Sequence, residues 1–348
     1  MCLLIPFAVY ADDPPRAATT IHGFVDTYYA WNDNEPAAHE NFVPGTGTKA
    51  KRANEFNLNL AAVEIVRDAQ PVGFHLSFVA GNGAEIVHAG EPQGTAIGRD
   101  VYRHIYQASI LYKASDRLTF EGGIFPSHIG FEGFYSKDNW NYTRGWLGEF
   151  SPYYQTGVHA TWRFNDHWSG ELHILNGWQI IGENNDAKAI GVKIAYAGDR
   201  LSTSLNTFDG PELPNDNSHW RHFGDLIAQY KVTPVFTAGG SIDRGRQSFP
   251  DQASANWLGI GVFGRYTQSE RRALAVRVER FNDSENGISG TPQKLTEATL
   301  TLEYRPAADL ILKIEGRRDH STAPVFAKGK SGSSRNQTIA VIGAVVTF

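Results

Sequence analysis

The sequence lacks any uninterrupted apolar run of the roughly 18 residues a membrane-spanning helix requires. One Cys and one Met in 348 residues leave no disulfide framework and no cysteine metal cluster. Positive charge is not in excess either: the formal net charge of -5 argues against a nucleic-acid partner, which would need a basic surface. Helical stretches rich in Leu, Ala and Lys are scarce. What the chain has instead is 35 glycines, 12% aromatic residues and abundant Thr and Asn, a β composition. A closed β structure often runs to this length as one unit. The missing helical span does not exclude a membrane, because a barrel crosses with alternating segments of about 10 residues.

The amino terminus reads as a short apolar run, Leu3 to Val9, ending in Val9-Tyr10-Ala11 before Asp12-Asp13-Pro14-Pro15. This resembles the back half of a secretory signal peptide, 1–11, without the basic front part, and a cut is expected after Ala11. Residues 12–20 then form a polar periplasmic linker, and 21–348 a single barrel domain.

From Ile21 onward the chain offers sixteen candidate strands: Ile21–Asn32, Asn54–Val66, Val72–Ala80, Val101–Lys113, Leu118–Phe125, Gln155–Phe164, Trp168–Asn176, Lys188–Tyr196, Leu201–Phe208, Trp220–Val232, Val235–Asp243, Trp257–Thr267, Arg272–Phe281, Lys294–Tyr304, Leu310–Arg318 and Asn336–Phe348. The connections alternate long and short without exception. That rhythm is expected of a transmembrane antiparallel up-and-down β-barrel with short periplasmic turns and long extracellular loops. Both termini then lie at the short-turn end. Lipid requires such a sheet to close, since an open edge would leave backbone groups unpaired in hydrocarbon.

The two faces of the strands differ. Leu274, Val276 and Val278 oppose Arg277 and Glu279, and Leu310, Leu312 and Ile314 oppose Lys313, Glu315 and Arg317. With the apolar face toward the outer-membrane lipids, the charged face lines water. Two strands strain the pattern or extend it. Glu64 falls in phase with Phe56, Leu58, Leu60 and Ala62, so this strand bulges, ends early or is misassigned. The fourth strand places Tyr106, Ala108, Ile110 and Tyr112 on one face. Aromatics recur near strand ends: Tyr28, Tyr29, Trp31, Trp162, Phe164, Trp168, Trp220, Trp257, Phe281, Tyr304 and Phe348. They suit a belt at the membrane interface.

Several motifs fail their structural context. Gly259-x-Gly261-x-x-Gly264 matches a dinucleotide fingerprint but lies inside an alternating strand, where glycines make room for an aromatic neighbour. His75, His159 and His173 fall on lumen faces without metal-ligand spacing, and no nucleophile elbow is present. No cofactor is implied. Ser, His and Asp brought together from different strands remain an alternative route to an outer-membrane enzyme.

The loop from Pro126 to Tyr154 is too long for a simple connection. Either it folds into the lumen, presenting Arg144 to passing anions, or it stands outside with its charges solvated. The candidate pore-lining residues are Arg144, Arg163, Arg265, Arg277, Arg317 and Lys313, with Glu121, Glu171, Glu279, Glu297 and Glu315 facing them. Opposed rows of this kind set up a transverse field in the lumen.

The segments Asn54-Glu55-Phe56-Asn57-Leu58, Asn139-Trp140-Asn141-Tyr142-Thr143-Arg144, Pro152, Gly157-Val158 and Leu175-Asn176-Gly177-Trp178 resemble those of the OmpL-like putative β-barrel porins of Gram-negative bacteria. The likeness runs from about Ile21 to Phe348. It implies an outer-membrane barrel and passive passage of small hydrophilic solutes or ions, and it brings no catalytic residues. A ligand-binding or adhesive barrel with a plugged lumen is the other non-enzymatic reading. Sixteen strands are compatible with a homotrimer, although no trimer face is evident.

Phe348 ends the last strand as an interfacial anchor and resembles the terminal aromatic read by the barrel-assembly machinery. Deleting Phe348 is expected to reduce insertion far more than it alters the conductance of inserted molecules. Heat-modifiable gel mobility and planar-bilayer recording measure the two quantities.

Overall fold

A strand that packs lipid on one face satisfies its backbone only through its neighbours. In the computed structural model, which describes residues 17–91 and 99–348, sixteen strands solve this by closing on themselves. In chain order they are β1 (Thr19–Asn32), β2 (Glu55–Arg67), β3 (Val72–Ala80), β4 (Ile105–Lys113), β5 (Leu118–Pro126), β6 (Tyr154–Arg163), β7 (Trp168–Leu175) and β8 (Ala189–Ala197). The second half comprises β9 (Leu201–Pro211), β10 (Trp220–Lys231), β11 (Phe236–Gln247), β12 (Ala255–Ser269), β13 (Arg272–Asp283), β14 (Gln293–Ala307) and β15 (Leu310–Ser321). A short hairpin, β16 (Phe326–Lys328) and β17 (Gly332–Ser334), interrupts the final loop before β18 (Asn336–Thr347). Each barrel strand pairs antiparallel with its sequence neighbours. The seam joins β1 to β18 in a register running from Phe24 opposite Thr347 to Asn32 opposite Ile339.

The structure thus has the closed sixteen-stranded antiparallel barrel that the alternation predicts, with short connections at one end and long ones at the other. The expected signal segment lies outside the described residues, and Thr19 and Thr20 of the expected linker already belong to β1. Beyond Phe348's strand, reciprocal hydrogen bonds of 3.0 Å join the Gly23 and Phe348 backbones. A side chain at Gly23 would strike the Phe348 ring.

The outer face is apolar, with Ile110, Leu302, Val278, Ile314 and Ile342 exposed. Tyr112, Trp162, Trp168, Tyr230, Tyr266 and Tyr304 form an exposed ring near the short-turn end. Three aromatics expected in that belt lie elsewhere: Tyr28, Trp257 and Phe281 are buried inside the barrel.

Two bulges explain the strands that strained the pattern. Between Asp26 and Thr27 the β1–β2 register skips Asn59, so Phe56 and Leu58 face outward while Leu60, Ala62 and Glu64 face inward. Glu64 is therefore a lumen residue, held by Tyr135 Oη at 3.1 Å. A second shift, between Ser77 and Phe78, skips Tyr106 and turns it inward, while Ile110 and Tyr112 keep the outward phase. The residues before β4 expected as strand include helix α2 (Arg99–Tyr102), which follows α1 (Asn82–Val87). The third helix, α3 (Trp146–Glu149), sits in the longest loop.

The interior is not an open water column bounded by charge. Two clusters of buried apolar side chains occupy it, one around Trp146, Phe42 and Phe281, the other around Phe24, Tyr106 and Phe134. The loop between β5 and β6 contributes to both.

Candidate functional site

Residues 127–153 connect β5 to β6 by crossing the inside of the barrel. Their entry is fixed between β6 and β9, where the His128 ring donates from one nitrogen to the Thr207 carbonyl at 2.9 Å and at the other accepts from the Gln155 side-chain amide at 2.8 Å. Burial, with the stacked His173 ring 4.1 Å away, pulls His128 down to a pKa of about 4. It is neutral at physiological pH and acts as a hydrogen-bonding peg. The Gly130 amide then donates to Asp225 on β10 at 3.0 Å, and the Phe131 ring stacks on Phe263 of β12 at 4.0 Å. A side chain at Gly239 would meet the Phe131 ring at 2.9 Å, so this wall is cut back to admit it.

The middle of the loop is held by charge. Arg277 on β13 donates to Glu132 Oε1 and to the Thr143 carbonyl, each at 2.6 Å, and to Glu297 Oε1 at 2.9 Å. Glu132 turns its other oxygen to the Gly145 amide at 2.7 Å. On β15, Glu315 accepts the Tyr142 and Thr143 amides at 2.6 and 3.0 Å, together with the Thr143 hydroxyl. Arg317 donates to the Arg144 carbonyl and pairs with Asp319, and Lys313 caps the Ser136 and Asn139 carbonyls. Glu279 accepts the Leu147 amide at 3.1 Å. Across the seam, Asp26 on β1 accepts from Ser136, Tyr142 and Asn59 at 2.6 to 2.7 Å. A Cβ at Gly343 on β18 would lie 2.3 Å from the Tyr142 ring.

These contacts decide where the candidate pore-lining residues stand. Arg277, Arg317, Lys313, Glu279, Glu297 and Glu315 share one wall, β13–β15, and are covered by the loop at 0–3% exposure. They pair with one another and with the loop, so the expected opposed rows are instead one lattice, and its field is largely internal. Arg144 is on the loop, as expected, but its guanidinium stacks on Tyr153 at 3.8 Å and is 2% exposed. Arg265 pairs with Glu303 at 2.9 Å. Arg163 stands exposed at the short-turn end of β6.

The opposite wall differs. Glu121 on β5 faces His159 on β6 at 3.5 Å; Glu171 on β7 faces His173 at 3.0 Å and Lys193 on β8 at 3.6 Å. Side-chain exposures there are 15% for Glu121, 12% for His159, 19% for Glu171 and 28% for Lys193. The loop thus rests on one side and leaves water access on the other. Among the described residues no group of three His, Cys, Asp or Glu side chains is arranged to hold a metal ion.

Sequence reasoning missed Asp26, Asn59, Lys49 and Lys193. Asp26 reads as one polar residue on an alternating strand, and Lys49 as an ordinary loop charge. Lys49 belongs to the loop between β1 and β2, which Glu149 ties to the long loop by accepting the Gly47 and Thr48 amides at 2.9 and 3.1 Å. Two of the three glycines of the rejected fingerprint also find their reason: at Gly259 a Cβ would meet Leu147 of α3 at 2.8 Å, and at Gly261 it would meet Phe263 at 3.0 Å.

Glu315→Ala removes the acceptor of two loop amides while leaving the strand face intact. Losing a buried charged acceptor of this kind costs about 3 kcal/mol or more of local stability. The variant is expected to insert normally and to show larger, noisier single-channel conductance in planar bilayers; unchanged conductance would mean the loop is held without it.

Among curated proteins none matches. Among solved structures, the anion-selective porin from Comamonas acidovorans superimposes with a TM-score of 0.64 at 13% identity, covering 95% of this chain and 100% of that one. The trimer form of in-vitro folded OmpT, an outer membrane protein of Vibrio cholerae, gives 0.62 at 11% identity, with 96% and 100% covered. A triple mutant of the Rhodopseudomonas blastica porin gives 0.54 at 12% identity, with 95% and 100% covered. At these identities the likeness concerns the fold. The family model described as putative beta-barrel porin-2, OmpL-like, matches residues 18–348. With nearly the whole chain matched and the barrel closed as described, this outer-membrane porin belongs to the OmpL-like beta-barrel porin-2 family.

Proposed function

We propose that the protein is a narrow, water-filled channel for small hydrophilic solutes or ions, and that the path runs beside the inserted loop along β5–β8. The observation that carries this is the contrast in exposure between the two charged walls: 12–28% on Glu121, His159, Glu171 and Lys193, against 0–3% on the β13–β15 charges. Passage needs no covalent chemistry. The wall excludes lipid, the loop sets the width, and fixed charges bias the ions that pass.

The open wall carries two carboxylates against one lysine, so it favours cations weakly, and more strongly at low salt. Arg163 at the short-turn end and the Arg265–Glu303 pair add charge of both signs near the exit. The protein reaches the outer membrane through the periplasm and is inserted by the barrel-assembly machinery. Assembly as a homotrimer is supported by the trimer form of the Vibrio cholerae OmpT structure.

The volume filled by the loop also favours a second reading, a plugged barrel whose outer loops engage a ligand. Stepwise conductance in planar bilayers separates the two, since a plugged barrel gives none. For the channel, Lys193→Glu is expected to shift the reversal potential in a salt gradient toward greater cation preference. An unchanged reversal potential in Lys193→Glu would place the path elsewhere.

A further inference from the structure

Two buried cations in the loops have donors without partners. Lys49 is fully buried, and its Nζ makes no hydrogen bond. Arg144 is 2% exposed; its Nη2 donates to the Glu132 carbonyl at 2.8 Å, but Nε and Nη1 donate to nothing. Among the described residues no carboxylate pairs with either group. The nearby acids are engaged otherwise: Asp26 with Asn59, Ser136 and Tyr142, Glu132 with Arg277 and the Gly145 amide, Glu149 with Gly47 and Thr48.

The two cations border the same aromatic pair. Lys49 Nζ lies 4.4 Å from the centre of the Phe134 ring, and the Arg144 guanidinium 3.8 Å from that of Tyr153. The rings meet edge to face at 5.8 Å. Tyr153 Oη is 2.9 Å from Thr48 Oγ1, next to Lys49 in the chain. Ring faces attract the cations but satisfy few N–H groups. Unpaired buried charge is costly, and it is tolerated where something neutralises it.

We propose that Lys49 and Arg144 form a binding site for one halide-sized inorganic anion, which locks the loop between β1 and β2 onto the loop inside the barrel. Three unpartnered donor atoms on two buried cations define the chemistry. A monatomic anion accepts from every side and carries the charge that offsets two buried cations. A polyatomic anion would bring more acceptor atoms than the site has donors. Entry is from the outer mouth, where Thr48, Glu149, Ser151 and Tyr153 help line a cavity of 410 Å³. Burial draws Lys49 down to a pKa of about 7 against the pull of the Asp26 carboxylate, with the Arg144 charge adding to the fall; a bound anion favours the charged form.

The site is independent of the conduction path, so its test does not rest on conductance. Crystals of the detergent-purified protein soaked in sodium bromide are expected to show an anomalous peak between Lys49 Nζ and the Arg144 guanidinium, absent in Lys49→Met. In solution, replacing sodium gluconate by sodium bromide at constant ionic strength is expected to raise the Tm of the wild-type protein saturably by a few degrees, and that of Lys49→Met not at all. A wild-type site without an anomalous peak, or equal Tm responses in the two proteins, overturns the proposal. Should Lys49→Met fail to fold, the anomalous peak of the wild-type protein decides alone.

Discussion

The arrangement depends on where the donors of Arg277 go. A guanidinium with no exposure has to place its N–H groups on acceptors. Here β14 supplies only part of the set, through Glu297 and Thr299, and the rest come from the loop: Glu132 Oε1 and the Thr143 carbonyl. The barrel wall is therefore incomplete without the loop, and the loop without the wall. Glu315 repeats the relation with the sign reversed, a buried carboxylate completed by loop amides. Removing one side of such a pairing strands a charge in a low-dielectric interior, which is why the loop rests on this wall rather than swinging free.

Placement follows from shape as well. Gly239, Gly259 and Gly343 are cut back where Phe131, Leu147 and Tyr142 approach. Most of the glycine relief, and the charge pairing that holds the loop, fall on the side of the barrel from β11 through β18 to β1. The wall from β5 to β8 admits the His128 ring at Gly191 but pairs its charges among themselves, and its Glu121, Glu171 and Lys193 keep contact with water. One asymmetric loop thus converts a wide cylinder into a narrow passage with a defined side.

Much of this barrel was legible in the sequence, because lipid imposes a period of two and the connections alternate in length. Val72–Ala80 is read to the residue, and the Asn336 strand closes on β1 as expected. Bulges escape such reading: skipping Asn59 or Tyr106 reverses the phase of everything beyond, so Leu60 looks lipid-facing when it is internal. The long loop was visible as an anomaly, but its position was not. A strand face carrying Arg277, Glu279 and Lys313 looks the same whether water or a folded segment covers it. Asp26 gathers Asn59 from β2 with Ser136 and Tyr142 from the long loop, a convergence no local pattern announces.

The central claim is that solutes pass along β5–β8 and not across the β13–β15 charges. Single cysteines at Thr161, on the open wall beside Glu171, and at Thr299, beneath the loop, test it directly in a background lacking Cys2. A charged thiosulfonate reagent added during bilayer recording should reduce the current of Thr161→Cys and leave that of Thr299→Cys unchanged. Block of Thr299→Cys with Thr161→Cys unaffected would contradict the account.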